Sequence, residues 1–190
     1  MAIAINELGQ YSQEHKAFFE LIITDVFIMP STNARGGSTS AALGVIWENP
    51  KLHYPINDVV EFLVHEMTHH TMFMDELCHE HYDYNLILSK SNWASSAILN
   101  VPRPLDKVLH SIVVGLEILQ FRCKFLGHPV IPNVHPPSDC LLSQLKLSLI
   151  SIREVIDREK LKGNSLLKPR AMEILNNVQS NIDVMKLSSS

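Results

Sequence analysis

A pair of histidines four residues apart, His65 and His69, constrains the fold of this 190-residue chain more than any other feature. Residues at this spacing lie on one face of an α-helix, about 6 Å apart along its axis. Two imidazole nitrogens can then bind one metal ion through bonds of about 2 Å. Together with the intervening Glu66 they form the motif His-Glu-x-x-His. The motif predicts a metal-binding helix.

The flanking residues favour a helix from about Asn57 to Met74. Apolar side chains recur there on one face, as in a helix that packs against a core: Val59, Val60, Leu63, Val64 and Met67. Glu66 lies further round, where its carboxylate could act on a metal-bound water, as the general base of a zinc peptidase does. Glu66 is therefore the candidate catalytic residue. The alternative is a helix whose histidines are solvated or pair with acids.

Three other histidines follow the motif closely, at positions 70, 79 and 81. His70 should point about 100° away from His69, so we do not expect it to bind the same ion. His79 and His81 lie beyond the expected end of the helix. We predict that they are surface or hydrogen-bonding residues.

A metal site needs at least a third protein ligand. A second helix is predicted to begin at Pro104 and to end near Phe125. It carries His110 and, two turns later, Glu117, which are about 10 Å apart along the axis, so one ion should not bind both. We prefer His110 because an imidazole in an apolar helix needs a polar partner. Glu117 stays as the alternative.

Arg103 precedes this helix and lies seven residues before His110, on nearly the same azimuth. Because arginine binds carboxylates through two parallel hydrogen bonds, Arg103 could bind an acidic cosubstrate beside the metal. Arg35 and Arg122 are weaker candidates for this role. A capping or surface role for Arg103 is the alternative.

Composition excludes several other classes of protein. Apolar residues make up 46% of the chain, as in globular proteins, and the net charge is −4 without a cluster of Lys and Arg, so we do not expect nucleic-acid binding. The longest apolar stretch, residues 112–119, is too short to span a bilayer, and no secretory signal is visible. The three cysteines are far apart, which is typical of reduced thiols in a cytoplasmic protein.

The remaining pattern predicts one mostly helical α+β domain that covers residues 1–190 and has a small sheet. We predict a helix over residues 5–29, a loop over 31–40 and a strand over 42–47. Residues 75–102 suggest short helical pieces and loops. The proline-rich segment 127–138 should connect to two C-terminal helices near 138–160 and 166–186, which we interpret as scaffolding of the same domain.

Two segments, residues 55–77 and 92–119, resemble the HExxH-containing, 2-oxoglutarate-dependent peptide β-hydroxylases that accompany ribosomally made, modified peptides. The shared pattern joins a Val-His-Glu helix to a downstream tryptophan, a Pro-Arg-Pro-Leu turn and a Leu-His pair. Here these features are Trp93, residues 102–105 and residues 109–110. The resemblance covers about residues 42–125.

The resemblance implies a zincin-like single domain with an HExxH active-site helix that binds Fe(II) and 2-oxoglutarate. The iron ligands would be His65, His69 and His110, and Arg103 would bind the cosubstrate carboxylate. The implied reaction hydroxylates a β-carbon in a peptide, a ribosomally made precursor, as 2-oxoglutarate is decarboxylated. The motif alone favours a gluzincin-like zinc metallopeptidase that uses Glu66 as general base, and this stays as the alternative, beside a non-catalytic protein of the same fold.

Overall fold

A computed structural model describes residues 1–32, 34–51 and 53–187 as a mostly helical α+β fold, which confirms the predicted fold class at that level. In chain order the elements are α1 (Ala2–Tyr11), α2 (Gln13–Ile22), β1 (Asp25–Ile28), β2 (Gly36–Ser38), β3 (Val45–Glu48), α3 (Ile56–Cys78), α4 (Tyr84–Ile87), β4 (Ala94–Ser95), β5 (Pro102–Arg103), α5 (Leu105–Phe121), α6 (Ser138–Leu161) and α7 (Pro169–Val184). A 3-10 turn (Lys90–Asn92) precedes β4, and a π-helical turn (Arg122–Leu126) follows α5. Over the described ranges, none of the helices has the length and apolar character needed to cross a membrane.

Helices α3 and α5 form the centre of the fold, and α6 packs on the other side of α5. Both predicted apolar stripes face the core. Val59 is half-buried and the other stripe residues are buried: Val60, Leu63, Val64, Met67, Leu105, Val108, Leu109, Ile112, Leu116 and Leu119. The periodicity therefore predicted these two helices and their buried faces correctly.

The prediction of one helix over residues 5–29 is wrong, because the chain forms α1, α2 and then strand β1. Ser12 separates the helices with an extended backbone (φ −154°), and its side-chain oxygen accepts a hydrogen bond from the His15 amide at 3.3 Å. A serine at this position caps a new helix rather than continuing the old one. Beyond α2, parallel pairing with β3 places residues 25–28 in the sheet.

The sheet has the strand order β1-β3-β2, with β2 antiparallel to β3. Strand β3 overlaps the predicted strand, but β2 lies within residues 31–40, where we predicted a loop. A Cβ atom at Gly36 would lie 2.1 Å from the Phe62 ring of α3. The glycines that indicate a loop in the sequence therefore let an edge strand approach α3 closely.

The two predicted C-terminal helices are confirmed as α6 and α7. They share one cluster of buried apolar residues with the N-terminal helices, β3, α3 and α5. Strands β4 and β5 pair immediately before α5, with Ala94 opposite Arg103. This hairpin places Arg103 at the N-terminal end of α5.

Candidate functional site

Helices α3 and α5 bring His65, His69 and His110 to the wall of one cavity of about 410 Å³. The ring centres of His65 and His69 are 4.8 Å apart, and those of His69 and His110 are 5.4 Å apart. Two imidazoles bound to one ion through bonds of about 2.1 Å have ring centres roughly 5 Å apart. The residue types and the ring spacings therefore fit a metal ion.

The nitrogen atoms of these rings do not all converge on one point, as they would in a preformed metal site. Over residues 1–32, 34–51 and 53–187, no group of three His, Cys, Asp or Glu side chains is arranged to hold a metal ion. His69 Nδ1 and His110 Nδ1 are 3.2 Å apart. A hydrogen bond and a shared ion separate two nitrogens by similar distances, so this contact is compatible with either.

Burial keeps the three candidate ligands neutral. It lowers the pKa of His65 and of His110 well below the ordinary value of 6.5, and neighbouring imidazoles lower both further. Burial also lowers the pKa of His69 to about 4, and the positive charges of Lys107 and Arg103 contribute to this shift. Neutral imidazole is the form that binds metals.

Glu66 lines the same cavity, and its Oε1 lies 3.8 Å from Nε2 of His65. Burial raises the pKa of this carboxyl group to about 7, the nearby Glu48 raises it further, and a hydrogen bond with Ser38 lowers it. Within the described chain its Oε2 atom has no hydrogen-bond partner. Glu66 can therefore take up or release a proton near neutral pH.

Glu48, at the end of β3, is only 2% exposed, and burial raises its pKa to about 7. As pH rises from 4.5 toward 7, this carboxyl ionises in the unfolded chain before it ionises in the folded one, so the free energy of unfolding falls. Glutamine does not ionise, so Glu48→Gln should abolish this fall in the free energy of unfolding. We expect the substitution to stabilise the metal-free protein at pH 8 by up to about 3 kcal/mol. The measurement is urea unfolding of both proteins at pH 4.5 and pH 8.

The matched control is Glu154→Gln, which changes an exposed glutamate on α6. It should leave the difference between the two pH values unchanged. Equal stabilities of wild type and Glu48→Gln at pH 8 would contradict the predicted effect of burial.

Two cations lie beside the histidines on the cavity wall. Arg103 lines the cavity, but it does so from strand β5 and not from the helix on which the sequence analysis placed it, and Lys107 in the first turn of α5 joins it. We did not predict Lys107, although it lies four residues after Arg103 and three before His110, which places it on the face of His110. The hydroxyl of Ser96 also lines the cavity, is buried, and has no partner among the described residues. This side of the cavity is suited to an anionic group.

Several other candidates lie elsewhere. Glu117 is 3.1 Å from His15 Nε2 and lines a different cavity, so its placement does not support it as the third ligand. Arg35 donates a hydrogen bond to the Val134 carbonyl oxygen at 2.6 Å and lines a neighbouring cavity that it shares with His65. Arg122 is fully buried in an ion pair. Neither arginine lines the cavity that contains Arg103.

The other histidines near the motif do not line the cavity. His70 points away from the cavity, is fully buried, and lies 3.0 Å through Nδ1 from the Glu66 carbonyl oxygen. His81 contacts Asp75 at 2.6 Å, as expected for a hydrogen-bonding histidine. His79 follows the last residue of α3 and is exposed.

The sequence analysis missed His135, which lies in the proline-rich segment that we interpreted as a connection. This residue is 4% exposed, and its Nε2 is 2.7 Å from Nδ1 of His65. The two histidines are 70 positions apart in the chain. No local pattern could have predicted their contact.

One cavity thus combines three neutral imidazoles, the carboxyl group of Glu66 and the cations Arg103 and Lys107. No protein-family model matches the chain, and no curated protein matches it. A functional proposal therefore depends on the residues of this cavity and on the resemblance of the motifs described above.

Proposed function

We propose that the chain is an Fe(II)- and 2-oxoglutarate-dependent oxygenase with a zincin-like fold, which hydroxylates a β-carbon of a peptide. The observation that carries this proposal is the placement of Arg103 and Lys107 on the same cavity wall as the three histidines. 2-Oxoglutarate has a keto acid at one end, which suits a metal, and a carboxylate at the other, which suits a cation. The cavity offers partners for both ends.

His65, His69 and His110 would hold the iron, because they are neutral and the ring centres of His65 and His110 lie 4.8 and 5.4 Å from that of His69. When bound, the iron would let dioxygen oxidise the β-carbon, with one oxygen atom entering the new hydroxyl group and the other entering the succinate that remains when 2-oxoglutarate loses carbon dioxide. Arg103 and Lys107 would bind the distal carboxylate and so orient the cosubstrate. The positive charges of these two residues also disfavour protonation of His69, which keeps this ligand available.

A second cavity of about 660 Å³ offers space for the peptide. It shares His65, Glu66 and Gly36 with the first cavity and extends between β2 and the proline-rich segment. Its wall includes Phe62 and Leu99, so it presents apolar side chains next to the candidate metal ligands. A peptide bound there would lie beside the histidines and leave the cationic wall free for the cosubstrate.

The test is the visible absorption spectrum of the metal-free protein after anaerobic addition of Fe(II) and 2-oxoglutarate. We expect a weak charge-transfer band that appears only with both components. Arg103→Ala should raise the 2-oxoglutarate concentration at half-maximal absorbance by about 10- to 100-fold, since a charge-assisted hydrogen bond contributes about 1.5–3 kcal/mol. The control is Arg153→Ala, which removes contacts with Gln179 and Asn176 on α7 and should not shift the titration.

A zinc metallopeptidase is the second candidate, because the Glu66 carboxyl group lies in the cavity next to His65. Absence of the band, together with stoichiometric zinc retained in the isolated protein, would contradict the oxygenase and favour the peptidase. Glu66→Gln should then abolish hydrolysis and spare metal binding, because the general base of a peptidase activates water rather than binding the metal.

A further inference from the structure

A chain of three buried polar side chains leads away from the cavity behind His65. Arg122 donates two hydrogen bonds to the Glu61 carboxylate, at 2.6 and 2.7 Å. Glu61 Oε1 also lies 2.6 Å from Nδ1 of His135, whose Nε2 lies 2.7 Å from Nδ1 of His65. Arg122, Glu61 and His135 are 0%, 2% and 4% exposed. Water is therefore largely excluded from this network.

The charges of the network determine where its protons lie. Glu61 is ionised, because hydrogen bonds and charges from His135 and Arg122 lower its pKa despite burial. An ionised carboxylate only accepts hydrogen bonds, so His135 donates through Nδ1. With Nδ1 of His135 donating to Glu61, the Nε2 atom of His135 faces Nδ1 of His65 at 2.7 Å. The Nε2 lone pair of His65 is available to a metal only when the proton of that ring is on Nδ1, and Nε2 of His135 is then placed to accept a hydrogen bond from it.

We propose that His135 is a positioning residue that orients His65 for metal binding. Its Nε2 atom accepts a hydrogen bond from the Nδ1–H group of His65 and so fixes the plane of that ring. The Nε2 lone pair of His65 is then available to an ion in the cavity. Metal-binding histidines are commonly oriented in this way by an acceptor behind the ring. The inference rests on the proposed function only in that His65 binds a metal, whether iron or zinc.

His135 is not itself placed to bind the metal. Its Nδ1 atom contacts Glu61 and its Nε2 atom contacts His65, so both ring nitrogens are already engaged. An imidazole has only these two nitrogens. Its contribution to metal binding must therefore pass through His65.

The segment that carries His135 is held at several points. Arg122 Nη1 donates to the Pro136 carbonyl oxygen at 2.7 Å, and Arg35 donates to the Val134 carbonyl oxygen at 2.6 Å. The backbone amide of Asn133 donates to Asp58 at 3.1 Å. These contacts bracket His135, so its ring is fixed relative to α3. A rigid acceptor is what a positioning role requires.

The test is the affinity of the metal-free protein for Zn(II), measured by competition with a chromophoric chelator. His135→Leu should weaken binding by about 10- to 100-fold, as loss of an outer-shell partner typically does. His135→Gln should restore most of the affinity, because the amide oxygen can accept from His65 while the amide nitrogen donates to Glu61. The control His79→Leu changes an exposed histidine beyond α3 and should have no effect.

The same substitutions in a His65→Ala background separate positioning from direct ligation. We expect His135→Leu to cause no further loss there, because the residue that it orients is absent. A loss of the same factor in both backgrounds would overturn the inference, as would wild-type affinity in His135→Leu. If His65→Ala itself binds Zn(II) as tightly as wild type, the metal site of the proposed function is wrong, and the inference is wrong with it.

A second measurement does not depend on the folding of any variant. ¹⁵N NMR of the metal-free wild-type protein with labelled histidine should show His65 protonated at Nδ1 and unprotonated at Nε2. The opposite tautomer would overturn the inference, because Nε2 of His65 would then carry a proton and His135 would be the donor.

Discussion

Replacement of His69 by alanine is expected to weaken metal binding at the proposed site by about 70- to 900-fold and to abolish the proposed hydroxylation. Four ligands together contribute about 10–16 kcal/mol to a tight zinc site, so one ligand contributes about 2.5–4 kcal/mol, which corresponds to that factor. His69 is the central ring of the site, 4.8 Å from His65 and 5.4 Å from His110 between ring centres. The measurement is a chelator competition with Zn(II) and, anaerobically, with Fe(II).

The matched control is His79→Ala, since His79 is exposed and lies just past the end of α3. Its metal affinity should equal that of wild type. His110→Ala should resemble His69→Ala if His110 is the third ligand. Retention of full affinity in His69→Ala would contradict the metal site, whereas retention in His110→Ala alone would contradict only the third ligand.

Replacement of Arg122 by alanine is expected to destabilise the protein by about 3–5 kcal/mol, because it removes one partner of a buried ion pair and leaves the other charge buried. The guanidinium group is fully buried, and Glu61 would keep only its hydrogen bond with His135. For a chain of this length, the corresponding fall in Tm is roughly 10 °C. Urea unfolding and thermal unfolding of the metal-free protein measure both quantities.

A second arginine in the same chain supplies the control. Arg170 also forms a paired contact with a carboxylate, that of Asp75, but its side chain is 38% exposed. Arg170→Ala should therefore change the stability far less than Arg122→Ala, because water can solvate the carboxylate that remains. Equal effects of the two substitutions would show that burial does not govern the strength of these ion pairs.

Local sequence patterns were sufficient for the main helices and for part of the site. The apolar stripes of α3 and α5 repeat with helical periodicity, and that periodicity alone directs their faces toward the core. The spacing of four residues places His65 and His69 on one face of α3, and the apolar surroundings of His110 indicate that this residue needs a partner. Arg103 was predicted from a helical azimuth relative to His110, but it lies in strand β5, before α5 begins, so the pairing of β4 with β5 and not helical geometry places it on the cavity wall.

The tertiary structure decided features that depend on contacts between distant segments. Residues 36–38 become a strand because β3 offers free backbone groups and the glycines let the chain approach Phe62, whereas their composition alone indicates a loop. His135 meets His65 across 70 positions, and Arg122 meets Glu61 across 61. Periodicity reports only on neighbours within a few turns of one helix, so these contacts leave no trace in it. The sequence by itself indicated which helix faces are buried and which residues are candidate metal ligands, and only the packing of three separate segments determined the buried network behind His65.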